Sequence, residues 1–440
     1  MPPTTIPLGN FKKRAARRCK GKRENTMKTE KFKVTPLERA WVLYDVGNSA
    51  FVLMIATLVP IFFNALAEAG GVSKVDYLAY WGYASSIVTV VTAILGTLAD
   101  TKGFKKPIFM LCLFVGVIGC CAMGLAGTWL AFLIIFIIAK IGYSGSLVFY
   151  DSMLGDVTTP ERMDMVSSRG YAWGYIGSCV PFVVCLALVL GSSAVGLDQM
   201  TALSIALVIT AVWWLVVTLP LLKKYRQINY VEVEQHAIRQ SFVRIGQTLK
   251  HLPQDKQVFW FLLAFFCYID GVYTIIDMAT AYGTALGLDT TGLLLALLVT
   301  QIVAFPSALI FGRLSQKYES KTLIPVCIAA YTGIAVFAFF LKSQWQFWVL
   351  AVVVGMFQGG VQALSRSHFA KIIPQEKSGE YFGLFDICGK GASFLGTMIV
   401  SVGSQLTGSA NVGVGSIAIL FVIGFVLFGI STRTEETKQV

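Results

Sequence analysis

The chain has 440 residues, of which 55% are hydrophobic and only 14% are charged, with a formal net charge of +12. Soluble domains carry about 25% charged residues, so this composition excludes an ordinary water-soluble protein. A helix needs about 20 apolar residues to cross a bilayer. The numbers fit a polytopic membrane protein without a large soluble domain.

Much of the positive charge lies at the start of the chain. Residues 1–26 contain eight Lys or Arg and one acid, Glu24. Such an arm could bind anionic lipid or nucleic acid, or resemble an Arg-rich transit peptide. We favour translation from Met27, which makes residues 1–26 a start-site extension, and we expect no nucleic-acid partner.

Twelve apolar segments of spanning length follow along the chain. They cover residues 39–66, 77–99, 106–126, 128–150, 168–191, 200–222, 258–283, 289–314, 322–341, 346–368, 379–405 and 412–432. The pattern predicts an all-α membrane protein with an N-terminal six-helix half, 39–222, and a C-terminal six-helix half, 258–432. In the predicted loops after residue 26, only Lys74 and Lys342 lie on one side of the membrane. The positive-inside rule therefore places both termini, residues 1–38 and 433–440, in the cytoplasm.

The longest internal gap, residues 223–257, links the two halves. Its apolar residues recur at helical spacing, as Ile238, Phe242, Ile245 and Leu249. This predicts an amphipathic helix on the cytoplasmic membrane surface or beneath the bundle.

Polar residues inside the spans are concentrated in the first, fourth, seventh, tenth and eleventh segments, whereas the third, sixth, ninth and twelfth hold almost none. A charge at the centre of a span costs about 2.5–3.5 kcal/mol, so each one needs a partner or a water-filled cavity. We expect one group of helices to line such a cavity. The candidate substrate-binding or coupling residues are Asp45, Asn48, Lys140, Tyr143, Tyr268, Asp270, Gln358, Gln362 and Arg366.

Each candidate also has a structural alternative. Asp386 and Lys390 are spaced as a structural ion pair. Asp45 and Arg366 lie near the cytoplasmic ends of their spans, where a gating salt bridge and simple interfacial placement are both alternatives to ligand contact. Asp270 and Lys140 lie deepest and are the candidates for substrate or a coupling proton. Gly170 and Gly174 form a small-residue face, for which close helix packing is the simpler explanation.

Enzymatic functions lack the residues they require. Residues 142–145 (GYSG) resemble the serine motif of rhomboid proteases, but none of the three histidines lies in the membrane to act as a base. An intramembrane aspartyl protease, a P-loop and a zinc site likewise lack their partner residues. We therefore expect no enzyme activity, no metal and no cofactor.

Residues 96–106 (GTLADTKGFKK) and 312–317 (GRLSQK) occupy equivalent loops of the two halves. The first resembles the loop motif of the major facilitator superfamily, in which the acid and the cations act as a cytoplasmic latch. The resemblance implies gating roles for Asp100, Lys102, Lys105 and Lys106. The second copy departs at Gln316, where an acid is usual.

A narrower resemblance is to the vacuole-effluxer, autophagy-protein-like family. It rests on residues 41–51 (WVLYDVGNSAF), 149–151 (FYD), 167–175 (SSRGYAWGY), 268–272 (YIDGV) and 358–367 (QGGVQALSRS). This sequence departs at Val46, where the family often has Trp. Fungal members are implicated in releasing amino acids from the vacuole, whereas the short loops here are typical of a bacterial member in the plasma membrane.

Two functions from different classes follow from these observations. The first is a monomeric secondary transporter that moves a small solute, with amino acids as the first candidate, by rocking two halves about a midplane site. Asp270 with Lys140 or Arg366 could bind a zwitterion, and Asp45 or Asp270 could carry a coupling proton, with sodium as the alternative. The second is a non-transporting sensor or scaffold on the same fold, which the buried charges disfavour.

Overall fold

The computed structural model describes residues 33–72, 100–231 and 250–438, except for the side chains of some positions within helices. By its contacts the chain divides into Met1–Pro36 and a compact second unit, Leu37–Val440, which is the helical bundle. The extension 1–26, the predicted second span and the amphipathic helix of the linker lie outside the described residues.

The described residues form helices and contain no β-strand. The α-helices, numbered in chain order, are α1 (Pro36–Ala69), α2 (Lys105–Met123), α3 (Trp129–Ser152), α4 (Leu154–Val157), α5 (Met163–Leu190), α6 (Gln199–Lys224), α7 (Lys256–Ala285), α8 (Thr290–Leu314), α9 (Ser320–Phe339), α10 (Gln344–Ile372), α11 (Ser378–Thr407), α12 (Ala410–Gly415) and α13 (Ala418–Lys438). Ten helices in the described part are long and apolar enough to cross a membrane.

Local sequence explains where several helices begin. The side chains of Thr128, Asp198 and Asp289 accept backbone N–H groups at the starts of α3, α6 and α8, and Ser343 forms a capping box at α10. Such caps satisfy amides that have no partner within the helix. All four lie in short loops between spans.

The predicted twelfth span is divided in the structure. The short helix α12 ends at Gly415, and α13 begins three residues later at Ala418. Gly413 lies directly against α11, where a Cβ atom would come within 3.1 Å of the Ser404 backbone nitrogen. The absence of a side chain at this glycine lets the chain pack on the end of α11 before α13 begins.

Apolar residues face outwards on the helices that correspond to the third, sixth, ninth and twelfth spans. Exposed examples are Leu111 and Ile118 on α2, Val212 on α6, Val326 on α9 and Val422 on α13. Many polar residues of α1, α3, α7 and α10 are instead buried, among them Asp45, Ser144, Asp270 and Arg366, whereas Lys140 is half-buried and Asp277 is exposed. This distribution is the reverse of a soluble protein and agrees with the predicted division between lipid-facing and inner helices.

Two sets of contacts join the N-terminal helices α1–α6 to the C-terminal helices α7–α13. Helix α5 packs against α8 and α10, and α3 packs against α11. The end of α3 and the start of α11 meet next to Asp100, where the Ser378 hydroxyl donates to the Ser152 carbonyl and Asp100 accepts the N–H groups of Gly379 and Glu380. We call this side of the bundle the Asp100 end.

Candidate functional site

Arg366 is the most highly connected buried charge at the contact between the two sets of helices. Its guanidinium, on α10, donates to the Asp45 carboxylate of α1 at 3.2 Å and to the Asp151 carboxylate of α3 at 3.0 Å. It also donates to the Ser167 hydroxyl of α5 at 2.9 Å. Arg366 is 1% exposed, so one C-terminal side chain fastens three N-terminal helices inside the bundle. We call these four residues the Arg366 cluster.

Aromatic rings hold this cluster in place. The guanidinium carbon lies 4.3 Å from the ring centroid of Tyr171 and 4.7 Å from that of Trp41, within the range of cation–π attraction. The Tyr150 hydroxyl donates to Asp45 at 2.7 Å, and the Trp41 indole donates to the Tyr150 carbonyl at 3.0 Å. The carboxylate of Asp45 is thus bound from two sides and fixed for Arg366.

Gly170 allows α5 to come this close to Asp45 and Arg366. A Cβ atom at this position would contact the Asp45 carboxylate and would lie 2.9 Å from the Arg366 guanidinium. Four residues later, a Cβ at Gly174 would lie 2.8 Å from the Ser49 hydroxyl. The small-residue face therefore packs α5 on α1, and at Gly170 it also makes room for the ion pair.

Replacing Gly170 with alanine is expected to destabilise the protein by about 1–3 kcal/mol, the usual consequence of overpacking a filled interior. The matched control is Gly333→Ala on α9, where a Cβ meets nothing within 4 Å and alanine favours the helix. Thermal unfolding of both purified variants checks this. Equal melting temperatures for the two variants would contradict the packing role of Gly170.

Asp100 begins a second connection between the two sets of helices. Its carboxylate accepts the backbone N–H groups of Gly379 at 2.6 Å and Glu380 at 2.8 Å, at the start of α11. A carboxylate is favoured at a helix N-terminus because it satisfies free amides and opposes the helix dipole. The loop after the second predicted span thus caps a helix of the C-terminal set.

Asp156, in the short helix α4, organises a third connection. It faces the buried ammonium of Lys105 at 3.5 Å and accepts the Tyr225 hydroxyl at 2.6 Å and the Asn229 amide at 2.8 Å. Lys105 in turn donates to the Ser378 hydroxyl at 3.1 Å. These five residues form the Asp156 cluster, which joins α2, α4, the start of the linker and α11.

The environment of Asp100 gives it an unusual titration. Burial raises the pKa of Asp100 to about 6, although Lys105 and the amides of Glu380 and Gly379 act in the opposite direction. An exposed carboxyl of this type titrates near pH ~3.9. Between these two values the capped state holds more protons than a state with Asp100 in water, so its stability falls as the pH rises through this window.

Asp100→Asn is therefore expected to change how the melting temperature depends on pH, and not only to lower it. In the wild type, the contribution of Asp100 to the melting temperature should decline from pH ~4 to pH ~6 and stay constant above, whereas the variant should lack this decline. Asp198→Asn is the control. Hydrogen bonds with Thr201 lower the pKa of Asp198, so its contribution to stability rises with pH instead of falling. The same decline in Asp100→Asn as in wild type would refute the assignment.

The remaining predicted gating cations differ in their surroundings. The Lys102 ammonium lies 4.7 Å from the Tyr230 ring centroid, and its backbone N–H donates to the Val231 carbonyl at 3.1 Å. Lys106 is half-buried on α2 and makes no hydrogen bond or ion pair with the residues that the structure describes. The loop motif thus contacts both the linker and α11, with Lys106 apart from these contacts.

The predicted polar residues of α10 form a column leading to Arg366. Gln358 and Gln362 are buried, and Gln362 accepts the Tyr175 hydroxyl of α5 at 2.6 Å. Tyr268 of α7 shares a hydrogen bond of 2.7 Å with the Ser365 hydroxyl. The column on α10 is therefore contacted by an N-terminal helix, α5, and by a C-terminal helix, α7.

Of the other candidates, Asn48 adjoins the Arg366 cluster, since it donates to Asp45 at 3.4 Å. Tyr143 packs 5.3 Å from the Phe51 ring centroid. Lys140 is half-buried and interacts electrostatically with Asp277 of α7. Asp270 lies buried within the C-terminal helices, apart from Arg366. The predicted pair of Asp386 with Lys390 cannot be placed, since the Lys390 side chain lies outside the described residues.

Several residues of these clusters were not candidates from sequence. Asp151 and Ser167 stood in the quoted motifs FYD and SSRGYAWGY, whereas Asp156 and Ser378 carry no comparable signal. Only their position against Lys105 distinguishes Asp156 and Ser378 from other polar residues of the chain. Among the described residues, no three His, Cys, Asp or Glu side chains come together as metal ligands would.

Comparison with known families identifies relatives along most of the chain. The model of the family described as vacuole effluxer Atg22 like matches residues 74–439. The MFS-type transporter YxiO of Bacillus subtilis (strain 168) is 42% identical over 417 residues, which cover 92% of this chain and 97% of that protein. Autophagy-related protein 22 of Kluyveromyces lactis is 23% identical over 429 residues, covering 90% of this chain and 82% of that protein.

Solved structures of the major facilitator superfamily share the fold. The transporter FucP in its outward conformation aligns with a TM-score of 0.69 at 13% identity, covering 90% of this chain and 99% of that chain. The human organic anion transporter MFSD10 aligns with a TM-score of 0.66 at 14% identity, covering 89% and 98% of the two chains. At these identities the likeness is one of fold.

Proposed function

Because the chain belongs to the vacuole effluxer Atg22-like family of major facilitator transporters, which are not enzymes, we propose that it carries a small polar metabolite across the membrane by alternating access. An amino acid is the first candidate substrate, and a proton gradient is the proposed driving force. The observation that carries the proposal is the Arg366 cluster.

The Arg366 cluster exists only while the Asp100 end is closed. Arg366 belongs to the C-terminal helices, whereas Asp45, Asp151 and Ser167 belong to the N-terminal helices. Opening this end separates the guanidinium from both carboxylates. Breaking a buried ion pair without replacing a partner costs about 3–5 kcal/mol, so the cluster favours the closed state until another group takes over these contacts.

A zwitterion has the chemistry to take over these contacts. Its carboxylate can bind the planar guanidinium of Arg366 in a two-pronged arrangement, while its ammonium pairs with Asp45 or Asp151. Substrate binding would then replace the interactions lost on opening and allow the helices to separate. A neutral sugar or an aliphatic acid supplies at most half of this replacement, which is why an amino acid fits better.

We place the transporter in a bacterial plasma membrane with the Asp100 end facing the cytoplasm. The relation to the Bacillus protein supports the first part, and the positive-inside rule supports the second. The fungal relatives make a vacuolar membrane the alternative location. Reactivity of single cysteines introduced beside Lys105, tested with a membrane-impermeant thiol reagent in intact cells, decides the orientation.

The proposed function is tested by reconstitution. Purified protein in proteoliposomes is assayed for uptake of radiolabelled amino acids, with sugars, nucleosides and peptides as the comparison panel, each with and without an imposed pH gradient. We expect saturable amino-acid uptake that the gradient increases. A folded protein that transports none of the panel would count against a carrier and in favour of a non-transporting membrane protein.

A further inference from the structure

Asp270 is a buried acid that the Arg366 cluster does not use. It lies at the middle of α7 and has no exposed surface, and it forms no ion pair with a residue that the structure describes. An ionised carboxylate in such a place is expensive unless it is paired or neutralised. Its hydrogen bonds show how the site is built.

One of the two carboxylate oxygens is satisfied. Oδ1 accepts the backbone N–H of Gly396 in α11 at 2.9 Å and the Thr274 hydroxyl, one turn along α7, at 3.4 Å. A Cβ at Gly396 would lie 2.8 Å from Oδ1. The missing side chain of this glycine therefore brings the α11 backbone directly against Asp270.

The other oxygen, Oδ2, is buried and has no hydrogen-bond partner among the described residues. Protonation removes the uncompensated charge, because the neutral acid needs no counter-charge. Sodium fits less well, since hard cations take several oxygen ligands. Asp270 has two hydrogen-bond partners among the described residues, the Gly396 N–H and the Thr274 hydroxyl. Only the hydroxyl contains an oxygen that could bind sodium.

The helices packed around Asp270 carry several titratable residues. They are Lys256, Cys267, Tyr268, Tyr273, Asp277 and Tyr282 on α7, Lys321, Cys327 and Tyr331 on α9, Arg366, His368 and Lys371 on α10, and Glu380, Tyr381, Asp386, Cys388 and Lys390 on α11. Helix α13 has no titratable residue between Ala418 and Ser431. Among those titratable residues whose side chains the structure describes, Cys267 is the one with an electrostatic interaction with Asp270.

We propose that Asp270 is the proton-binding site of the transporter, holding the proton on Oδ2 while Gly396 keeps α11 against α7. Oδ2 takes one proton from water on one side of the membrane, which converts the carboxylate to the neutral acid that this site accommodates. The proton leaves when water reaches Oδ2 from the other side of the membrane and accepts it. The carboxylate left behind is stabilised by that water and by the hydrogen bonds of Gly396 and Thr274.

The first test needs no substrate, because it observes the carboxyl group itself. Infrared spectra of the protein in lipid at pH 7 are expected to contain the carbonyl band of a protonated carboxyl group. The band should be lost in Asp270→Asn and kept in Asp277→Asn, the matched acid two turns along the same helix. Asp270→Glu should keep it as well, which guards against a variant that fails to fold. An undiminished band in Asp270→Asn, or its loss in Asp277→Asn, would overturn the proposal.

The role in transport rests on the proposed function and needs a second test. With a radiolabelled mixture of the protein amino acids, Asp270→Asn proteoliposomes should still exchange labelled for unlabelled substrate but should lose accumulation driven by a pH gradient. Accumulation at the wild-type level would overturn the coupling role. If the wild type transports nothing, the proposed function fails, whereas the infrared test still decides whether Asp270 binds the proton.

Discussion

Replacing Arg366 with alanine is expected to lower the free energy of unfolding by about 3–5 kcal/mol, because Asp45 and Asp151 then remain buried without their cation. Their side chains are only 7% and 14% exposed, so water replaces the guanidinium poorly. The same change removes the group proposed to bind the substrate carboxylate. Thermal unfolding and proteoliposome uptake measure the two effects separately.

Two further variants separate charge from geometry at this position. Arg366→Lys keeps the charge but loses the planar fork that reaches two carboxylates at once, so it should fall between wild type and alanine. Arg366→Met combined with Asp45→Asn and Asp151→Asn removes all three charges, and should regain much of the stability while still failing to transport. If Arg366→Ala unfolds and transports like the wild type, the cluster has neither role.

Replacing Asp156 with alanine should have a destabilising effect of similar size, about 3–5 kcal/mol, because it leaves the Lys105 ammonium buried and unpaired. The change also removes the acceptor for Tyr225 and Asn229, which hold the start of the linker. Trypsin cleavage after Lys223, Lys224 or Arg226 should accordingly become faster. Melting temperature and the rate of this cleavage are the measurements.

Asp164→Ala is the comparison for Asp156→Ala. Asp164 also pairs with a lysine, Lys371, but that lysine is 26% exposed and can be solvated by water, so the loss should be smaller. The double variant Lys105→Met with Asp156→Leu replaces the buried pair by apolar groups and should approach the wild-type stability. An equal loss for Asp156→Ala and Asp164→Ala would mean that burial of Lys105 does not set the effect.

Features that depend on local stretches of sequence were predicted well. The concentration of Asp45, Lys140, Asp270 and Arg366 in particular spans indicated which helices face the interior, and the structure buries Asp45, Asp270 and Arg366. The loop motif implied gating roles for Asp100, Lys102, Lys105 and Lys106, which stay a prediction; the structure buries Asp100 and Lys105 next to α11. The family was also recognised from the motifs.

Most partnerships over long sequence distances were not predicted, although a salt bridge was among the alternatives for Asp45 and Arg366, which the structure pairs. Arg366 and Asp45 are separated by 321 residues, and their spacing along the chain carries no information on contact. Sequence reasoning paired Asp270 with Lys140 or Arg366 as the zwitterion site, whereas the structure sets Asp270 against Gly396 and pairs Arg366 with two other acids. Nothing in the sequence distinguishes the role of Gly396 from that of Gly170. Only the packing of the neighbouring helices shows that Gly170 makes room for Asp45 and Arg366, and Gly396 for Asp270.

The sequence by itself therefore determined that this chain spans a membrane, which helices turn inwards, and which family it belongs to. These properties follow from the cost of exposing polar groups to lipid, and that cost acts on each residue separately. Which acid binds which cation depends on how helices far apart in the chain are brought together. Close packing at small residues such as Gly170 determines which acid and cation meet, and this packing is visible only in the tertiary structure.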